Sequence, residues 1–130
     1  MGKNMIRDMD LIRLLLIKIE EEVDNTVFYN LSIDGYELDQ VAYHCAILHE
    51  AGYIKDYKGN YGGGKLTDFG NYRLIWNGHD LLDKIRSETV WNKTKETIND
   101  KGLPVIFEVF KDIATSILTV MTQQAITGIL

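Results

Sequence analysis

Cysteine and proline are almost missing from this chain: Cys45 and Pro104 are the only ones in 130 residues. A single cysteine forms no intramolecular disulfide, which excludes a disulfide-stapled secreted domain and fits a reducing, cytoplasmic setting. Basic residues are also in deficit, with 14 Lys and Arg against 19 Asp and Glu, a formal net charge of −5 and a pI near 5.1. Free-standing nucleic-acid binders are usually basic, because phosphate neutralisation supplies most of their non-specific affinity. This chain would have to gather its cations on one face to hold DNA. The deficit is sharpest over residues 37–51, which contain no Lys or Arg at all. A membrane-spanning run is missing too. Residues 113–130 carry no charge, but Thr115, Ser116, Thr119, Thr122, Gln123, Gln124 and Thr127 break the apolar character, so a packing helix is expected there. The first eight residues lack the apolar stretch of a signal peptide.

What is present is ordinary globular composition, 45% hydrophobic and 25% charged, in a chain long enough for one core. Met9, Ile12, Leu15, Leu16, Ile19 and Val23 recur at helical spacing and predict a helix over 8–23 with one buried face. Val27-Phe28-Tyr29 reads as a short strand before the turn pair Asp34-Gly35. Residues 37–51 predict a second helix, with Leu38, Val41, Ala42, Cys45 and Leu48 on its buried stripe and Gly52 as the stop. Residues 53–57 alternate as a strand, residues 59–64 read as a loose glycine-rich hairpin tip, and 72–76 as the return strand. Helices are expected over 79–86 and 90–99. Gly102 and Pro104 mark a break before a last helix whose Ile106, Phe110, Ile113, Ile117 and Val120 step three and four apart as a heptad seam. The fold class is therefore mainly α with a small β-hairpin (α+β). Helix, glycine stop, hairpin, strand and helix follow one another in the order of a winged helix-turn-helix domain, placed at residues 1–100, with a helical extension at 101–130 that packs back or mediates dimerisation.

Three stretches also carry a resemblance: Arg7-Asp8-Met9-Asp10-Leu11-Ile12-Arg13, Tyr43-His44 followed by Leu48-His49-Glu50-Ala51-Gly52, and Trp76-Asn77-Gly78-His79-Asp80-Leu81-Leu82-Asp83-Lys84-Ile85-Arg86 with Val90-Trp91. In this order they resemble a small bacterial family of short uncharacterised proteins, common in prophages. The resemblance implies a winged-helix-like fold and a mobile-element setting, and no established activity. Ile75 departs from the Thr that the family tends to show.

The first candidate function is contact with double-stranded DNA. Base readers on the second helix are limited to Gln40, Tyr43, His44 and His49, beside the acids Glu37, Asp39 and Glu50. The hairpin is better supplied: Lys55, Lys58, Asn60, Lys65 and Arg73 could line a wing. The alternative is a non-enzymatic protein-protein interaction module, with a homodimer formed through the seam of the last helix. Cys45 and His49 stand i, i+4 with His44 nearby, but no second pair completes four ligands, so no metal is expected. Gly59, Gly64 and Lys65 imitate a phosphate loop, yet Leu66 stands where Ser or Thr would bind magnesium and no helix opens there. Asp68-Phe69-Gly70 lacks the other kinase motifs. Neither a cofactor nor a small-molecule substrate is inferred, and no nucleophile and base are spaced as a catalytic pair.

Overall fold

Asp8 opens the first helix by accepting the Leu11 N–H on its side chain, 3.1 Å away, and the apolar spacing then carries α1 through Met9–Glu22. The computed structural model describes residues 6–129 of the chain. After α1 come β1 (Phe28–Tyr29), α2 (Leu38–Glu50), β2 (Tyr57–Gly62), β3 (Lys65–Asn71), α3 (Trp76–Ile85), α4 (Glu88–Lys101) and α5 (Phe107–Ile129). The architecture is α+β, mostly helical with one small antiparallel sheet in the order β1-β3-β2. Among the described residues no helix is long and apolar enough to cross a membrane.

The chain divides into two compact units, Met1–Asp80 and Leu81–Leu130. That division falls earlier than the boundary expected at 100/101, and α3 runs across it. In the first unit the core is Leu11, Ile12, Leu15, Leu16 and Ile19 of α1 with Val41, Cys45 and Leu48 of α2, closed by Ile54, Phe69 and Leu74, all fully or almost fully buried. In the second, Val90, Trp91 and Ile98 of α4 are buried along with Phe110 and Ala114 of α5, and the Trp91 and Phe110 rings stand 5.0 Å apart. Ser87 caps α4 through the Val90 N–H, and Gly102 ends it in the left-handed conformation.

The hairpin differs from its expected form. Its strands lie at Tyr57–Gly62 and Lys65–Asn71, not at 53–57 and 72–76. Only the single bridge Ile54↔Leu74 survives from the expected pairing, and Trp76 already begins a helix. The reason is the turn. Gly63 and Gly64, with φ of 62° and 79°, form a two-residue connection whose twist matches the strands it joins, so pairing continues to Gly62↔Lys65 at the very tip. The glycine-rich stretch is therefore mostly strand. Asn30 fixes β1 alongside it: its N–H donates to the Phe69 carbonyl at 2.9 Å, and its side-chain oxygen accepts the Phe69 N–H at 3.0 Å. Between α1 and α2 the chain runs through β1 and a turn at Asp34–Tyr36, and no short turn joins the two helices directly.

Candidate interaction groove

The first unit carries a groove between α2 and the β2–β3 hairpin, about 580 Å³ in volume. Leu38, Ala42 and Ala46 recur every fourth residue on α2 and, with Asp39 and Tyr43, form one wall. Tyr57 and Tyr61 of β2, with Gly64, Lys65 and Leu66 around the tip, form the other. The small side chains of Ala42 and Ala46 leave the space between the walls open. Strand periodicity puts Tyr57, Gly59 and Tyr61 on one face and Lys58 and Asn60 on the other. Gly59 is where it is because both tyrosines fold over it: an added Cβ would meet the Tyr57 hydroxyl at 2.9 Å and the Tyr61 ring at 3.2 Å. Burial, above all, pushes the Tyr57 phenol well up, with Tyr61 and Cys45 adding to the shift, so Tyr57 stays neutral at physiological pH.

The expected DNA-contact residues do not converge. Lys65 and Tyr43 line the groove, where Glu37 and Asp39 face them. Lys58 lies on the opposite face of the hairpin. Beside it Asn60 is taken, its amide donating to Asp68 Oδ1 at 2.6 Å. Arg73, at the base of the hairpin, donates to the Leu74 carbonyl at 3.0 Å, and Lys55 is exposed there. Gln40 and His44 are corrections. Gln40 Oε1 accepts the Glu37 N–H at 3.0 Å and so serves the start of α2. His44 is 3% exposed, with Nε2 accepting the Asp8 N–H at 2.8 Å and Nδ1 facing the Gln40 carbonyl at 2.7 Å. An N–H already donates to Nε2, so the ring proton sits on Nδ1. His44 is an interior strut between α1 and α2.

The other candidate residues separate as well. Cys45 is buried with its thiol pushed up by desolvation, while His49 Nε2 lies 3.6 Å from Asp56 Oδ1. Among the described residues no group of three or more His, Cys, Asp or Glu is arranged to hold a metal ion. Of the expected dimer seam, Phe110 is 3% exposed and covered by Trp91, which removes it from any interface. Ile113 and Ile117 are half-buried, whereas Ile106 and Val120 are exposed.

Leu38, Asp39, Ala42, Ala46, Tyr57, Tyr61 and Leu66 were not singled out as a site from the sequence. The signals were present: Leu38, Ala42 and Ala46 at i, i+4 and i+8 on α2, and Tyr57 and Tyr61 two residues to either side of Gly59. Leu38, expected in the core stripe, is 36% exposed at the groove's edge.

Comparison with known proteins finds a relative in Haemophilus influenzae (strain Rd), an uncharacterized protein 35% identical over 122 residues, covering 90% of this chain and 98% of its own. No solved structure matches the chain. Residues 6–104 match the family described as hypothetical protein (DUF2513), a span that includes both walls of the groove and all three recurring stretches noted above. The chain belongs to the DUF2513 family.

Proposed function

We propose that this protein is a non-catalytic interaction module, a winged-helix-like unit that binds a segment of another protein in the groove between α2 and the hairpin. The observation that carries this reading is the lining: three tyrosines, Leu38, Leu66 and two alanines beside Glu37 and Asp39, with Lys65 as the cation. An aromatic and apolar cleft with a few polar groups at its rim is how proteins hold peptide side chains, and Tyr supplies contact area at low entropic cost. A DNA groove would meet two carboxylates here. Those carboxylates also look structural rather than catalytic, since Glu37 sits at the α2 N-cap and Asp39 Oδ1 accepts the Gln40 N–H at 3.0 Å.

The test selects random peptides on the full-length protein and titrates the winners by fluorescence anisotropy against wild type and Ala46→Arg. The Arg fills the groove from a half-buried helix position that lines it, and circular dichroism confirms that the variant is folded. Loss of binding supports the reading; unchanged binding refutes it. In parallel, a labelled duplex is titrated at low salt. A shift that weakens steeply with salt and disappears in Lys58→Glu/Lys65→Glu would establish the DNA reading instead.

A second reading concerns self-association. Every described residue from Thr119 to the end of α5 is exposed, with Val120 at 52% and Ile126 at 50%, and this stretch bears no charge. We propose that a second copy covers it in a homodimer, where two uncharged helix ends meet without like-charge repulsion. Light scattering on wild type and Val120→Glu/Ile126→Glu checks it: dimer and monomer, respectively, are expected, and a monomeric wild type ends the proposal.

A further inference from the structure

The groove lies beside the free edge of the sheet. With the strand order β1-β3-β2, one side of β2 pairs with β3 and the other pairs with no strand among the described residues. The irregularity in the ladder does not interrupt that edge. Asn60 pairs with Asp68 and Tyr61 with Leu66, so the extra residue is Thr67 of β3, and β2 runs unbroken from Tyr57 to Gly62. The direction of its free groups follows from the neighbouring pair. Asp56 accepts the Tyr72 N–H on its carbonyl at 3.2 Å, so Asp56 and Tyr72 form a hydrogen-bonded pair; alternation then turns the backbone groups of Tyr57 and Gly59 outward. The Tyr57 N–H confirms that sense, since it is met by the Asp56 carboxylate at 2.8 Å rather than by β3. Natural sheets blunt such edges with proline, runs of charge or a covering element. β2 has Lys58 as its one charge, two glycines and no proline, and Asn60, Tyr61 and Gly62 are exposed.

We infer that the partner segment is an extended strand that adds to the outer edge of β2, with alternate side chains entering the groove against Leu38, Ala46 and Tyr61 and a Lys or Arg reaching Glu37 and Asp39. This rests on the groove reading of the preceding subsection and supplies its binding mode. Backbone hydrogen bonds from the edge give affinity, and the groove, reached by every second side chain, gives selectivity. Two acids against one lysine in the lining select a basic side chain over an acidic one.

The experiment uses the full chain and the peptides selected on it. Amide hydrogen exchange is followed with and without saturating peptide, and each peptide is remade with single N-methyl groups along its length. Edge pairing predicts slowed exchange over residues 57–62, and N-methylation that weakens binding at least about tenfold at alternate positions and under about twofold between them. Replacing the peptide's basic residue by Glu is expected to weaken binding by a similar factor. Peptides that are lost in Ala46→Arg but show no alternation and leave residues 57–62 unprotected would overturn the edge mode while keeping the groove. Peptides indifferent to Ala46→Arg would overturn both. A concentration-dependent dimer that protects residues 57–62 and is abolished by Ala46→Arg would overturn the proposal in favour of a second copy on this edge.

Discussion

Replacing His44 by Phe tests whether the histidine is a strut or a surface reader. An aromatic ring, somewhat larger than imidazole, is kept beside Tyr43, whose ring centroid lies 5.6 Å from that of His44. What is lost is the acceptor for the Asp8 N–H and the donor to the Gln40 carbonyl, at 2.8 and 2.7 Å. Asp8 is the N-cap of α1, and its carboxylate is already engaged by the Leu11 N–H and by the Tyr36 hydroxyl at 3.2 Å, so it has no spare acceptor facing its own N–H. A buried donor left without a partner costs about 1–3 kcal/mol. Asp8 is only half-buried, so water recovers part of that, and about 1–2 kcal/mol of destabilisation is expected. For a unit of this size each kcal/mol corresponds to about 4–8 °C in Tm. The assay is urea unfolding followed by circular dichroism, with the slope compared to make sure that the unfolded state has not changed. His44→Gln, whose amide can accept and donate along the same directions, is expected to recover part of the loss. A change below about 0.3 kcal/mol in His44→Phe, or a loss of binding with stability intact, would refute the strut.

Gly78→Ala tests the seat of α3. An added Cβ there runs into the carbonyl oxygen of Tyr53, and its next neighbour is Leu74 at 3.2 Å. Alanine favours a helix interior by about 1 kcal/mol over glycine, so a destabilisation of about 1–3 kcal/mol in thermal unfolding would show that the contact, not propensity, decides; a gain in stability would refute it. Alkaline pH tests the buried phenol and thiol. Desolvation raises both Tyr57 and Cys45 above their ordinary values of 10.0 and 9.0, so the folded state keeps protons that the unfolded state releases. The stability they contribute is complete below pH 9 and falls as pH rises past 9.0 and 10.0. Urea midpoints measured between about pH 8 and pH 11 should drop less steeply in Tyr57→Phe/Cys45→Ala than in wild type, and parallel curves would exclude the linkage.

The helices were legible from the sequence because each announces itself locally. The Met9 to Val23 spacing, Gly52 after α2, and Gly102 with Pro104 before α5 are periodicity and punctuation, read within a few residues. The hairpin was misplaced because its four glycines look alike on paper while only Gly63 and Gly64 make the turn. Which glycines are strand residues depends on Tyr57 and Tyr61 closing over Gly59 and on Phe69 filling the core, and both are tertiary facts. The site residues failed for a related reason. Asn60, Arg73, Gln40 and His44 were selected by side-chain type, but hydrogen-bonding side chains serve the fold as readily as a ligand, and each of these has a partner inside the protein. The heptad spacing of the last helix is plain in the sequence, but nothing local shows that its Phe110 position packs against Trp91.

Those internal partners bear on what kind of surface the first unit offers. A DNA-binding wing needs its cations on one side, because counterion release scales with the phosphates that are contacted together. Lys58 projects from the face of β2 opposite Tyr57 and Tyr61, Lys65 joins the groove lining at the hairpin tip, and Lys55 and Arg73 sit at the far end of the hairpin. Strand alternation collects Tyr57 and Tyr61 on one face of β2, opposite Ala42 and Ala46. The two-residue period of β2, carried to the tip by Gly63 and Gly64, therefore builds the aromatic groove, and the groove sets one cation, Lys65, against the carboxylates of Glu37 and Asp39, a poor lining for phosphate.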